Sequence, residues 1–294
     1  MTLGEALKRA SFCLQKAGVT EPRQEAEILL ARLMQTDRLR LFLEQSTLIS
    51  PEQFNRYLAA VKRRCRGEPV AYINEEKYFY GYRFYVNNNV LIPRPESELL
   101  IDSALDWAGG RQDPQGKAIR CLDLGTGSGV LAVTLAIRLP AAEVWAVDIS
   151  EFALQVARYN ASLHKVEEKV RFYRGNYFLA LEKLSEKPKF NLVIANPPYV
   201  ANQELETLPT AVKQYEPLEA LAGGEDGLDG YREIIRQVPR FTRDEFLLIM
   251  EAGAGQKEKI EELLAGAGIF HMVTWRYDLS GWPRVVEASS KTAG

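Results

Sequence analysis

Asn196-Pro197-Pro198-Tyr199 stands directly after an apolar run, Asn191–Ala195, and its residue types suit one task, the holding of a planar nitrogen. An amide or aryl-amino nitrogen is a poor nucleophile because its lone pair is delocalised into the adjacent π-system. Acceptors placed against both of its N–H groups fix its position and raise its electron density. Asn196 offers a side-chain oxygen, and the backbone carbonyl of Asn196 or Pro197 offers a second acceptor. Proline has no N–H, so the stretch shows acceptors without competing donors. Tyr199 can stack on a planar target. The bland alternative is a proline-rich exit from a strand.

A second constellation lies upstream. Asp123-Leu124-Gly125-Thr126-Gly127-Ser128-Gly129 closes a predicted strand and opens a helix. Its glycines let the backbone turn tightly and approach a ligand without a Cβ in the way. Amides at the helix N-terminus can then face a polar or anionic group. A Gly-x-Gly alone also fits any tight strand-to-helix turn, so context decides. The next predicted strand ends in Val147-Asp148, where a carboxylate can accept from both ribose hydroxyls. Nicotinamide enzymes and methyltransferases remain as contenders. The Gly-x-Gly-x-Gly spacing, with Asp123 two residues before it, favours the second. S-adenosylmethionine carries an ammonium and no pyrophosphate, and a carboxylate at the mouth of the turn suits the ammonium. Reactivity in such a displacement resides in the cofactor, so the protein mainly has to hold the nitrogen at near-attack distance. The target N–H becomes acidic once the methyl is attached, so no catalytic His or Cys is needed beforehand.

The elements that must position these residues follow from periodicity. From about residue 94, predicted strands (Ile119–Leu124, Glu143–Val147, Val170–Tyr173, Asn191–Ala195, Phe246–Met250) alternate with helices such as Val130–Leu139 and Phe152–Leu163. That pattern predicts an α/β fold, a Rossmann-like, mainly parallel sheet with helices on both faces. Met272–Tyr277 and Arg284–Ala288 have no long helix between them and predict an antiparallel edge. The first 75 residues read as a small helical bundle. Thr2 and Glu5 have capping-box spacing, Leu3, Ala6, Leu7, Ala10 and Leu14 follow at helical spacing, and Gly18 is a stop. A second helix covers roughly Arg23–Met34, and Ser50-Pro51 starts a third that runs toward Arg64. Tyr78–Tyr80 and Arg83–Val86, around Gly81 and before Asn87–Asn89, predict a β-hairpin that bridges two domains. The expected division is 1–75 for the bundle, 76–92 for the hairpin linker and 93–294 for the cofactor-binding domain.

Composition agrees. The chain of 294 residues is 46% hydrophobic and 26% charged, ordinary for a soluble globular protein. No apolar run reaches the ~18 residues that a membrane span needs, and the N-terminus has no signal-peptide pattern, so a cytoplasmic location is expected. Cys13, Cys65 and Cys121 have no metal-like spacing and read as small buried thiols. His164 and His271 are too isolated for a metal site, so none is expected. A net charge of −2 argues against a dedicated nucleic-acid binder. Residues 1–75 carry 12 Lys/Arg against 9 Asp/Glu, with a cluster at Lys62, Arg63, Arg64 and Arg66. The cluster is read either as cations favoured by a helix C-terminus or as a partner-binding patch.

Taken together, these residues resemble the release factor N5-glutamine methyltransferases, the HemK/PrmC family, over nearly the whole chain. Besides the two constellations and Asp148, the match includes Val90-Leu91-Ile92-Pro93-Arg94-Pro95-Glu96-Ser97-Glu98, Glu68-Pro69 with Tyr72-Ile73, and Gly223–Leu228 with Tyr231-Arg232. The resemblance implies a class I methyltransferase domain acting on the glutamine of the Gly-Gly-Gln loop of bacterial peptide-chain release factors. It implies that Gly125, Thr126, Gly127, Ser128, Gly129 and Asp148 contact S-adenosylmethionine, which leaves as S-adenosylhomocysteine. Asn176 and Tyr177 would flank the adenine, and Asn196, Pro197, Pro198 and Tyr199 would hold the glutamine amide. The bundle would contact the release factor, with Arg64 or Arg66 contributing, and the protein would be a monomer without bound nucleic acid. Departures from the family pattern are Asn176 for the frequent Asp, Ser97 for the usual Thr, Glu251-Ala252-Gly253 for Glu-Ile-Gly, and Gly281-Trp282-Pro283-Arg284 near the end. Two alternatives remain: a glutamine methyltransferase acting on a ribosomal protein, and an adenine or guanine N-methyltransferase, which would have to flip its base out of the stack.

Overall fold

The computed structural model describes residues 1–109 and 118–290. They form two compact units, Met1–Glu76 with Pro209–Tyr215, and Lys77–Leu208 with Glu216–Gly294. In the first, α1 (Leu3–Lys16), α2 (Pro22–Met34), α3 (Arg38–Leu43), α4 (Pro51–Cys65) and α5 (Val70–Asn74) make up the bundle. The expected capping box of Thr2 with Glu5 forms on α1, and Ser50 caps α4 as expected, with Pro51 at the first helical position, and also closes a capping box with Gln53. Leu3, Ala6, Leu7, Ala10 and Leu14 are all buried, facing Leu29 and Leu30 of α2 and Tyr57 and Val61 of α4. The Tyr57 hydroxyl donates to the Ala26 carbonyl at 2.8 Å, which satisfies the one polar atom that this core buries with the ring. The segment Pro209–Tyr215, remote in sequence, belongs to this unit, which no linear reading anticipates.

The second unit opens with β1 (Lys77–Phe79) and β2 (Tyr82–Phe84), an antiparallel hairpin. Tyr80 and Gly81 both have positive φ, the requirement of the tight hairpin turn that matches strand twist. The hairpin was expected as a linker. Instead its Phe79 and Phe84 are fully enclosed in the core of the second unit, because two consecutive aromatic strands this short need a sheet or helix to cover them.

The main sheet is built from β3 (Arg120–Leu124), β4 (Glu143–Asp148), β5 (Val170–Arg174), β6 (Phe190–Ala195), β7 (Thr242–Glu251), β8 (Phe270–Tyr277) and β9 (Pro283–Ser290), in the order β5-β4-β3-β6-β7-β9-β8. The first five run parallel; β9 and β8 are antiparallel. Between the strands lie α6 (Glu98–Gly109), α7 (Val130–Arg138), α8 (Glu151–Leu163), α9 (Leu179–Glu182), α10 (Thr210–Tyr215, in the first unit), α11 (Asp229–Phe241) and α12 (Lys257–Ala267). Strand side chains alternate between faces. Cys121, Leu192, Leu247 and Ile249 meet α6 and α7, whereas Leu122, Val193, Leu248 and Met250 meet α11 and α12. Both faces are thus covered, and strand order reverses direction at β3, where β4 lies on one side and β6 on the other. Ligands bind at such a switch point. Of the three thiols, Cys121 is buried, but Cys65 is half-buried and Cys13 exposed, contrary to expectation. No helix among the described residues is long and apolar enough to cross a membrane.

Candidate active site

At the β3 end of the switch point the glycine turn is locked by its own backbone. Gly125 and Thr126 both donate to the Val147 carbonyl, at 2.8 and 3.0 Å, and Gly129 donates to the Thr126 carbonyl at 2.8 Å. Gly127 donates to Asp148 Oδ2 at 2.8 Å. Four amides of the turn, those of Gly125, Thr126, Gly127 and Gly129, are therefore occupied within the protein. What the turn offers instead is a surface without side chains: Gly125 and Gly127 have φ of 75° and 53°, conformations that glycine adopts without strain. Gly129 plays a different part. A Cβ there would come within 2.9 Å of the Ala157 Cβ, so it is the contact point of α7 with α8 rather than part of the ligand surface.

Asp123 also lies behind the turn, not in it. It is fully buried, and its Oδ2 accepts from the Thr126 hydroxyl at 2.6 Å and the Ala132 amide at 3.1 Å. Its Oδ1 has no hydrogen-bond partner. Burial pushes this carboxyl up to about 7, opposed by the Thr126 and Ala132 bonds and reinforced by Asp148. The direct ammonium contact expected from sequence is thus replaced by a structural role. Asp148, by contrast, lines the cavity, and its Oδ1 accepts from the Ser150 amide at 2.9 Å. Burial raises its carboxyl, while the Ser150, Gly127 and Ile149 amides pull it back.

Asn196 leaves the sheet at the end of β6 and faces the same cavity as Gly125, Thr126, Gly127, Ser128, Asp148, Asn176, Tyr177 and Pro198. Pro197 and Tyr199 do not line it. Pro197 is buried against Gly230, where a Cβ would meet its ring at 2.9 Å. The Tyr199 ring lies against Gly253 at a similar distance, and its carbonyl accepts from Gln256 Nε2 at 3.0 Å. Burial pushes its hydroxyl up to about 12. Tyr199 is a wedge beneath the site rather than a platform for the target. Gly223 explains the downstream loop: a Cβ there would meet the Pro198 carbonyl at 2.7 Å, so only glycine lets this loop lie against the tetrapeptide. Tyr177 holds φ at 45°, a strained value for a bulky side chain, with its hydroxyl close to Gly230.

The cavity, about 1010 Å³, carries Asp148, Glu151, Glu219, Asp229 and Glu233 against only Arg94 and Arg174. An acidic lining suits a cationic nucleoside and disfavours a pyrophosphate. The residues present therefore fit S-adenosylmethionine: a shelf free of side chains, an anchored carboxylate for the ribose, and Asn176 and Tyr177 at the side.

Sequence reading missed two parts of the site. Glu216, buried, accepts from Arg94 Nη2 at 2.6 Å and the Ile92 amide at 3.3 Å, tying two cavity walls together. Ser97 lines the cavity and bonds both Asn196 and Glu251. In the bundle, Arg64 is committed to Glu25, with Nη2 to Oε1 at 3.2 Å, and Arg63 to Glu68 at 2.7 Å. These two members of the basic cluster are internally neutralised, which weakens the reading of Arg64 as a partner contact.

The PrmC N-terminal domain family matches residues 5–74, and the methyltransferase small domain family matches residues 111–214. The release factor glutamine methyltransferase of Koribacter versatilis is 37% identical over 293 residues, covering 100% of both chains. That of Cereibacter sphaeroides is 38% identical over 288 residues, covering 98% of each, and that of Chlorobaculum tepidum is 36% identical, covering 90% of this chain and 89% of the relative. Among solved structures, the N-terminal domain of human METTL16 in complex with SAH is similar with a TM-score of 0.51 at 15% identity, covering 83% of this chain and 84% of that one; this likeness bears on the fold alone. Identity at this level along nearly the full length decides the matter: the chain belongs to the release factor glutamine methyltransferase family.

Proposed function

We propose that this protein methylates the side-chain amide nitrogen, N5, of the glutamine in the Gly-Gly-Gln motif of peptide-chain release factors. S-adenosylmethionine is the donor and S-adenosylhomocysteine the product. The observation that carries the reading is the placement of Asn196 in one cavity with the glycine shelf and Asp148. When bound, the cofactor supplies an electrophilic methyl group on a sulfonium.

The protein's own part is positional. Asp148, held by two backbone amides, accepts from ribose hydroxyls. Gly125 to Ser128 form the surface against which the donor lies, and Asn176 and Tyr177 close its side. Asn196 Oδ1 accepts one N–H of the target amide, and Pro198 limits its approach. Correct placement of two reactants converts a bimolecular encounter into a near-attack geometry. The nitrogen gains a methyl and releases one proton to water after transfer. The helical unit, residues 1–75, is proposed to recognise the release factor, in keeping with its own match to the PrmC N-terminal domain family.

The test is transfer of labelled methyl to a purified bacterial release factor, beside a Gly-Gly-Ala version of it. Label on the Gln protein alone is expected. No label on either, with cofactor binding intact, would overturn the substrate and direct attention to ribosomal protein and RNA.

A further inference from the structure

We propose that Ser97 and Glu251 are positioning residues that set which end of the Asn196 amide meets the target nitrogen. The inference rests on the reading of Asn196 as the acceptor. Ala195 of β6 is in register with Met250 of β7, so Asn196, the first residue past β6, stands beside Glu251, the last residue of β7. Ser97, on the short turn Pro95–Ser97 before α6, joins them. Asn196 Nδ2 donates to Ser97 Oγ at 3.3 Å, and the Ser97 hydroxyl donates to Glu251 Oε2. Ser97 and Glu251 are each 3% exposed, so water does not compete.

Counting hydrogens makes the arrangement directional. A carboxylate only accepts, and a hydroxyl has one hydrogen. With that hydrogen given to Glu251, Ser97 Oγ can only accept, and the Asn196 amide must turn its NH2 toward it. Oδ1 then faces the cavity. The terminal torsion of Asn is broad and roughly two-fold, so without this chain the same side chain can present NH2 to the target N–H, donor against donor. Two peptide segments remote from Asn196 thus decide whether its amide is an acceptor.

The lock is sensitive to pH. Burial pushes the Glu251 carboxyl up to about 7; Glu96 adds to this, while Ser97, Arg284 and Arg94 oppose it. Glu251 also bears on the raised phenols of Tyr199 and Tyr231, and the Tyr231 hydroxyl donates to its backbone carbonyl at 2.8 Å. Once protonated, Glu251 donates to Ser97, whose own hydrogen is then free to turn toward Asn196 and accommodate the flipped amide.

Two measurements on the full-length protein test this. The first follows the 15N side-chain amide resonance of Asn196, identified by its loss in Asn196→Ala, from pH 5.5 to 8.5. It should titrate near pH 7 in the wild type and in Ser97→Thr, which keeps the hydroxyl, and should lose that titration in Ser97→Ala and Glu251→Gln. A wild-type resonance indifferent to pH and to all three substitutions would overturn the proposal. The second compares kcat on a release factor. Ser97→Ala and Glu251→Gln should fall by about ten-fold to a hundred-fold, the scale of a misplaced reacting group, with cofactor Kd within two-fold of wild type. Ser97→Thr should stay within about three-fold, and Glu251→Gln should lose the acid limb of the kcat profile. Wild-type kcat in Ser97→Ala would also overturn it. If wild type labels no release factor, the substrate reading fails, while the resonance still decides the amide lock.

Discussion

At the scale of single residues, the site separates groups that touch ligands from groups that hold those groups in place. In the proposed mechanism Asn196 is of the first kind. Its replacement by Ala removes an acceptor from the target nitrogen but leaves the glycine turn and Asp148 as they are. Turnover is expected to fall by about a hundred-fold, roughly 2.7 kcal/mol in the barrier, with cofactor affinity and melting temperature nearly unchanged. Isothermal titration alongside the methyl-transfer assay checks this, and an unchanged rate would remove Asn196 from the mechanism. Both motifs were legible in the sequence because their chemistry is carried by contiguous residues: Asp123–Gly129 and Asn196–Tyr199 are each within reach of a single turn. Ser97 and Glu251 were not, since they lie 154 positions apart and meet only through the sheet order. The Arg94–Glu216 pair spans 122 positions and was hidden for the same reason. The contiguous motifs still misled in detail. Spacing cannot tell whether Asp123 or Tyr199 faces a cavity or supports its floor.

At the scale of elements, long periodic segments were readable and short ones were not. The parallel strands β3, β4 and β6 fall close to their expected spans because a doubly covered parallel sheet needs near-continuous apolar runs. The hexamer α3 and pentamer α5 are too short to display a helical period, and α3 leaves Leu39, Phe42 and Leu43 exposed, so its pattern points nowhere. Gly129 shows how a residue read for chemistry serves packing. With φ of 82° and Ala157 beneath it, a methyl group there meets both backbone strain and a helix that cannot yield. Gly129→Ala is expected to cost about 2–3 kcal/mol, read as a lower midpoint in urea with little change in slope. Full stability in the variant would mean that α7 and α8 can separate without penalty.

For the molecule as a whole, the two most deeply buried carboxyls of the catalytic unit set a pH dependence opposite in sign to ordinary acid denaturation. Asp123 and Glu251 are both pushed up to about 7, against roughly 3.9 and 4.3 in an unfolded chain. Below pH 4 both states hold these protons; between about 4 and 7 the folded chain holds protons that the unfolded chain has lost. Unfolding free energy therefore falls as pH rises through this window, on the order of 1 kcal/mol per pH unit for each group. The lowered carboxyls Asp226, Asp278, Glu27 and Glu287 act the other way, but their contribution is lost only as pH drops through their depressed values. The cofactor-free protein should accordingly melt several degrees higher at pH 5.5 than at pH 8. Asp123→Asn, which removes one of these titrations, should flatten the slope. A melting temperature that rises from pH 5.5 to 8 would show that neither carboxyl is shifted as its burial implies. Because ionised Glu251 is also the form that the proposed lock of Asn196 requires, stability and turnover should move in opposite directions across pH 7. The unpaired Oδ1 of Asp123 and the Ser97-bound carboxyl of Glu251 are then two instances of one cost, the burial of an acid that must give up its charge or its solvation.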